Sequence, residues 1–147
     1  AMFGTGIGVE NIVWQSTANT ISSATMANVG VLQFSALENQ SYKFEVFLPI
    51  IPAGATTTAF SMLFPSGACN YVLETQTTAT SAWAVASSNT SDSTGTTQAM
   101  TGTNLRTVRI SGTFYNTANT DVVVRAQTSA ADLTVAPGAS LTYTRIG

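Results

Sequence analysis

The sequence contains no histidine, and this absence excludes several kinds of active site. Without histidine there is no usual general base, no Ser-His-Asp triad and no histidine-ligated metal. The single cysteine, Cys69, can form neither an intramolecular disulfide nor a thiolate metal cage. The seven carboxylates lack the spacing of a calcium loop, and the sequence contains no phosphate-binding loop. A glycosidase-like pair of carboxylates that the fold brings together is not excluded by the sequence. We therefore expect no enzyme, no cofactor and no metal.

Charged residues are scarce. The chain has five Lys plus Arg and seven Asp plus Glu among 147 residues, which is 8%, against about 25% in ordinary soluble domains. Hydrophobic residues make up 44% of the chain, so the low charge does not indicate disorder. Neutral polar surfaces keep a protein soluble less well than charged ones. We expect copies of the chain, or a larger assembly, to cover part of its surface, and the few cations argue against nucleic-acid binding.

Long hydrophobic runs are also missing. The longest apolar stretch, 47–55, is short and contains two prolines, so no membrane-spanning helix is expected. The N-terminus lacks the basic residues and the continuous apolar core of a signal peptide, and Met2 is the expected natural start. With a lone cysteine, these features predict synthesis in a reducing cytoplasm.

Apolar and polar residues alternate with a period of two along most of the chain, which predicts strands. The alternation places three sets of side chains on inward faces: Tyr42, Phe44, Val46 and Leu48; Val108, Ile110, Gly112 and Phe114; and Val122, Val124 and Ala126. Counting every such segment gives about eight strands separated by turn-rich connections. The fold class predicted is all-β, a β-sandwich or jelly roll.

Several boundaries follow from local composition. Pro49 and Pro52 are expected to end the strand that begins near residue 41, and 87–98 is expected to be an exposed, mobile loop. Residues 19–27 are the one stretch where a helix is considered. Residues 1–10, with glycines at positions 4, 6 and 8, predict a flexible arm before a single domain at 11–147. Phe3 and Ile7 on this arm either dock on a neighbouring subunit or belong to a frayed terminus.

Three of the five cations lie between Arg106 and Arg125, a segment predicted to be a β-hairpin around the turn at 116–121. In such a hairpin Arg109 and Arg125 share one outward face, with Asp121 nearby. Two like charges on one face require neutralisation. Either Glu45 or Glu74 supplies it, or an acidic group on a partner chain does, since Arg binds carboxylates in a bidentate manner at interfaces.

Two further arginines complete the set of four. Arg106 lies near the start of its strand and is expected to be solvated. Arg145 lies in the last strand, so that four of the five cations follow residue 105, whereas five of the seven acids precede it. This asymmetry favours head-to-tail contact between identical subunits.

Trp14 and Trp83 have two interpretations. Tryptophan in a β-sandwich most often belongs to the core or to an interface. The alternative is that the two indole rings stack on the sugars of a glycan.

Four segments carry a resemblance to a known group of proteins. The run LENQSYKFEVFLPI, and then VRISGTF, VVVRAQTS and TVAPGASLTYTRI in that order, resemble segments of small virion proteins of tailed bacteriophages. The resemblance extends from Leu37 to the C-terminus. It rests on pattern and order and includes no catalytic signature.

The resemblance implies a β-sandwich, commonly a homotrimer, that binds other virion proteins. With Met2 as the natural start, it favours a capsid decoration (auxiliary or cement) protein on the outer capsid surface, made in the host cytoplasm, with the major capsid protein as partner. The alternative is a tail-fibre or receptor-binding tip that recognises a host surface glycan. Under the first reading Phe3, Ile7, Arg109, Asp121, Arg125 and Arg145 are the expected interface residues.

Overall fold

The computed structural model describes residues 6–77, 83–93 and 97–147. These residues form twelve strands and no helix, and so include no helix able to cross a membrane. The strands are β1 (Glu10–Trp14), β2 (Asn19–Ile21), β3 (Ala27–Ala36), β4 (Gln40–Pro52), β5 (Thr56–Leu63), β6 (Ala68–Gln76), β7 (Trp83–Ser88), β8 (Gln98–Met100), β9 (Arg106–Asn116), β10 (Thr120–Thr128), β11 (Leu133–Val135) and β12 (Ser140–Arg145).

The strands form two antiparallel sheets, and the predicted all-β sandwich is confirmed. The larger, eight-stranded sheet has the order β1-β12-β4-β9-β6-β7, and β11 joins it by pairing with both β4 and β2. The smaller sheet has the order β3-β10-β5-β8. Strand pairs remote in sequence, such as β4 with β9, therefore hold the domain together.

The core lies between the two sheets, where the predicted alternation places it. Residues 42, 44, 46 and 48 of β4 are all buried, as are residues 122, 124 and 126 of β10. Aromatic rings fill one part of this core: Phe34 stacks on Tyr143 with centroids 4.0 Å apart, and Tyr42 stacks on Phe114 at 5.2 Å. The first of these pairs joins the smaller sheet to the larger one, and such pairs add about 0.5–1.5 kcal/mol beyond simple burial.

The predicted hairpin of β9 and β10 is wrong. β9 lies between β4 and β6 in the larger sheet, whereas β10 lies between β3 and β5 in the smaller one. The chain crosses from one sheet to the other at Asn116, whose fully buried side chain donates to the carbonyls of Ala36 and Leu37. A turn that is polar in sequence is thus a sheet-to-sheet crossing fixed by a buried amide.

The strand does end at Pro52, as predicted, but the prediction for Pro49 is wrong, because β4 continues through that residue. The Pro49 carbonyl accepts a hydrogen bond from the Ala136 amide, on the side of β4 away from β9. The proline nitrogen faces the same side, since a strand residue directs both of its backbone groups to one neighbour. On that side of β4 the neighbouring strand changes from β12 to β11. The N–H group that proline lacks would therefore not have bonded to β9.

Two other expectations are corrected. Residues 19–27 contain no helix; they begin with β2 and end at the start of β3. Part of the predicted loop 87–98 is held to the sandwich, since the Asp92 amide donates to the Met62 carbonyl over 2.8 Å. Near the N-terminus, the Gly8 amide donates to the Arg145 carbonyl over 2.7 Å, so the end of the predicted arm follows its own β12.

Candidate interaction surface on the larger sheet

The outward face of the larger sheet presents one continuous row of side chains from edge to edge. Strand register places these residues opposite one another in turn, so that they share a face: Trp14, Ser140, Phe47, Arg109, Glu74 and Val85. The row crosses six strands, so its ends lie about 24 Å apart at the usual strand spacing.

Large apolar side chains are concentrated at the two ends of this face. At one edge, β1 exposes 65% of Ile12 and 62% of Trp14. At the other edge, β7 exposes 42% of Trp83 and 67% of Val85. The outward residues of the four strands between them are mostly Ser, Thr, Asn, Glu and Lys, with Phe47 as the large apolar exception near the centre. The larger sheet therefore has apolar edges and a polar middle.

Both tryptophans lie at these edges, so neither belongs to the core. The two indoles are separated by most of the width of the sheet, and each stands near its own apolar neighbour. The sequence places Ile12 and Trp14 on one face of a strand by their spacing, but nothing local to β1 or β7 shows that these strands are at the edges. The sequence therefore does not predict that the two tryptophans lie at opposite edges of one sheet.

Arg109 lies near the middle of the face, beside a groove of about 360 Å³. Glu74 stands directly opposite Arg109 across the β6–β9 pair, and Glu45 also lines the groove. These are the two carboxylates expected from sequence as its neutralising groups. On the other side, the Arg109 Cζ atom lies 5.9 Å from the centroid of the Trp83 ring, a cation–π contact.

Arg125 lies on the smaller sheet and does not share a face with Arg109, contrary to the hairpin-based prediction. Its Nε atom is 3.2 Å from Asp92 Oδ1, the one ion pair within 4 Å in the part of the chain that the structure describes. Its guanidinium also donates to Asn28 Oδ1 over 2.9 Å and to the Met26 carbonyl over 3.0 Å. A carboxylate that sequence reasoning did not consider, 33 residues away, thus neutralises Arg125 within its own chain.

The other arginines have different environments. Arg106 is 2% exposed, which corrects the expectation that it is solvated, and its Nη2 atom donates to the Thr101 carbonyl. Its Nε and Nη1 atoms have no hydrogen-bond partner among the described residues. Arg145 is half-buried opposite Tyr42, on the inward side of β12.

The other predicted interface residues are separated from one another. Asp121 is exposed at the start of β10 and accepts a hydrogen bond from Ser35 Oγ over 2.8 Å. Ile7 is 64% exposed beside the end of β12. Phe3 lies outside the described residues. The fold therefore does not gather the predicted set into one patch.

The described residues contain no group of three His, Cys, Asp or Glu side chains close enough to hold a metal ion. Cys69 is buried, and desolvation raises the pKa of its thiol. The thiolate form that makes a cysteine nucleophilic is therefore disfavoured at neutral pH.

No protein-family model matches the sequence, and no curated protein matches it. Among solved structures, the chain is weakly similar to the N-terminal modules of a Clostridium thermocellum endo-1,4-beta-D-xylanase complexed with xylohexaose, with 13% identity over 91% of this chain and 29% of that one and a TM-score of 0.31. It is also weakly similar to a chain of infectious bursal disease virus, Gx strain, with 9% identity over 96% of this chain and 38% of that one and a TM-score of 0.23. The chain spans less than two-fifths of either protein. With TM-scores this low, neither similarity identifies a function.

Proposed function

We propose that this protein is a non-enzymatic structural component of a virion, which assembles as a homotrimer and binds the outer capsid surface of a tailed phage. The observation that carries the proposal is the pair of apolar edges on the larger sheet, at Ile12 and Trp14 and at Trp83 and Val85. Exposed apolar side chains that lie next to one another, unlike single scattered ones, indicate an interaction site. The resemblance from Leu37 to the C-terminus to small virion proteins of tailed phages supplies the identity of the assembly.

The energy available from covering these edges is substantial. Each of the four side chains keeps between 42% and 67% of its surface exposed. Burying the remainder is worth roughly 1–2 kcal/mol for each side chain. A charge content of 8% leaves few ionic groups to keep such edges apart in solution.

A decoration protein of this kind acts by mass action. It binds the assembled shell and not its dissociated subunits, so it stabilises the shell by RT ln(1 + [L]/Kd) for each site. No catalytic group is needed for this role. The partners are the sister copies and the major capsid protein, with the protein synthesised in the host cytoplasm.

The proposal is tested on purified protein and on empty, expanded phage heads. Light scattering coupled to size-exclusion chromatography is expected to give three times the monomer mass of 15.3 kDa. Addition of the protein is expected to raise the melting temperature of the heads, and the protein is expected to sediment with them. A monomer that neither binds the heads nor changes their melting temperature would refute the proposal.

A second candidate function is recognition of a host glycan by a receptor-binding tip. The exposure of Trp14 and Trp83 favours it, since exposed aromatic faces stack on sugar rings. The strands that carry the two rings lie about 24 Å apart at the usual strand spacing, so the rings would serve separate subsites. A glycan array distinguishes the two functions: specific binding that Trp83→Ala abolishes, with no effect of the protein on phage heads, selects the receptor-binding role.

A further inference from the structure

The described strands leave five sheet edges, at β1, β2 and β7 of the larger sheet and at β3 and β8 of the smaller one. Three of them carry the devices by which proteins prevent strand pairing between molecules. On the larger sheet, β2 is three residues long. On the smaller sheet, β8 is three residues long. At the other edge of that sheet, β3 is irregular: its register against β10 passes from Gln33 opposite Val123 to Asn28 opposite Arg125, with Gly30 at a φ of 49° in between. None of these three edges offers a long, regular strand.

The other two edges of the larger sheet, β1 and β7, lack these devices. Along its length β7 (WAVASS) contains no charge, proline or glycine, and among the described residues it pairs with β6 alone. At the opposite edge β1 (ENIVW) has a single charge, at its first residue, and pairs there with β12 alone. The side of each strand that faces away from its partner therefore pairs with no other strand among the described residues, and it lies next to exposed apolar side chains.

We infer that β7 of one copy pairs with β1 of the next copy, which joins the larger sheets of neighbouring subunits edge to edge. The inference rests on the proposed homotrimer and identifies its seam. Pairing β7 with β7 of a second copy would give a two-fold dimer and leave both β1 edges uncovered. Pairing β7 with β1 is head-to-tail, covers both apolar edges of every copy, and gives a ring when the rotation between copies closes, as a homotrimer requires.

The side chains of the two strands suit this pairing. Their lengths are similar, with five residues in β1 and six in β7. On the shared outward face, Ile12 and Trp14 of one copy come beside Trp83 and Val85 of the other. Residues in neighbouring strands have Cβ atoms about 4.5–5.5 Å apart, and aromatic with β-branched pairs are among the favourable combinations. No like charges meet, because neither strand carries a cation and β7 has no charge at all.

Lysine substitutions test the seam. Val85→Lys and Ile12→Lys each place a charge on an exposed position of one proposed edge, and both are expected to reduce the trimer to monomer in light scattering at micromolar concentration. The matched control is Val31→Lys, at a residue 59% exposed on β3 of the smaller sheet, and it is expected to remain a trimer. Loss of assembly with Val85→Lys but not with Ile12→Lys would overturn head-to-tail pairing in favour of β7 with β7.

Cysteine cross-linking gives a second readout that does not depend on losing assembly. The native Cys69 is 5% exposed and contributes little background. Under mild oxidation the double variant Ile12→Cys/Val85→Cys is expected to form covalent trimers, and each single variant is expected to stay uncross-linked. A covalent dimer from Val85→Cys alone would overturn the inference.

These experiments distinguish a wrong assignment of the seam from a wrong proposed function. If the wild-type protein is a trimer that binds phage heads, and both lysine variants remain trimers, the seam lies elsewhere and the proposed function stands. If the wild-type protein is a monomer that ignores phage heads, the proposed function itself fails. Circular dichroism of each lysine variant shows whether a lost trimer reflects a lost fold, in which case the cross-linking result decides.

Discussion

Replacement of Asn116 by alanine is expected to destabilise the protein by about 3 kcal/mol. The Asn116 amide group is fully buried at the crossing from β9 to β10. Its Nδ2 atom donates to the carbonyls of Ala36 and Leu37, both over 3.0 Å, and its Oδ1 atom accepts from Ser66 Oγ over 2.7 Å. Alanine leaves the two carbonyls without these donors, while the serine hydroxyl can rotate to another acceptor. Each unsatisfied buried group costs roughly 1–3 kcal/mol, and water entering the space left by the amide recovers part of that cost.

Urea unfolding followed by far-ultraviolet circular dichroism measures this change. The matched control is Asn119→Ala, three residues later in the same connection. Asn119 Oδ1 accepts one hydrogen bond, from the Glu38 amide over 2.8 Å, at an exposed position. Its loss is expected to cost less than about 1 kcal/mol, because water replaces an exposed partner. A free energy of unfolding for Asn116→Ala within about 0.5 kcal/mol of wild type would refute the idea that this amide fixes the crossing.

Three further predictions follow from the packing. Gly112→Ala is expected to lower stability by about 1–3 kcal/mol in urea unfolding, because an added Cβ would lie 2.7 Å from the Tyr71 Cα atom; unchanged stability would contradict this close approach. Burial raises the pKa of Tyr143 above its usual 10.0, and nearby Tyr42 raises it further. The folded state thus favours the neutral phenol. The stability that this preference adds is complete below pH 10 and is lost as the pH rises through the folded-state pKa of Tyr143. Stability of Tyr143→Phe should therefore fall less steeply above pH 10 than that of wild type, and parallel curves would be evidence against the shift. Finally, Arg125→Gln is expected to speed hydrogen exchange at the Asp92 amide. A double-mutant cycle with Asp92→Asn is expected to give a coupling energy of up to about 1 kcal/mol. Zero coupling would show that the ion pair does not hold the segment around Asp92.

The inward faces of the long strands could be predicted because they depend only on the order of neighbouring residues. In β4, for example, four alternate residues are apolar, and all four are buried as expected. The short strands β2, β8 and β11 could not be predicted in this way, since three residues do not establish a period. β8 and β11 form beside the longer strands β5 and β4, and β2 pairs in turn with β11.

The arginines show where sequence reasoning reaches its limit. The parity of Arg109 correctly places its side chain outward, and its two expected carboxylates do lie nearby. The carboxylate partner of Arg125 was missed because Asp92 belongs to a segment remote in sequence that the fold brings over the smaller sheet. The place of Arg106 near the start of its strand predicts a solvated side chain, whereas in the fold this side chain is buried.

The sequence by itself determined that the chain is a β protein with few charges, a substantial core and no histidine-based chemistry, because composition and a period of two are local properties. Only the tertiary structure decided that β9 and β10 belong to different sheets, and that β1 and β7 are edges of one sheet. Those facts depend on which distant strands pair, and pairing is selected by packing between the sheets and by buried groups such as Asn116. The candidate interaction surface consists of such edges, so it becomes visible only when the strands are assembled.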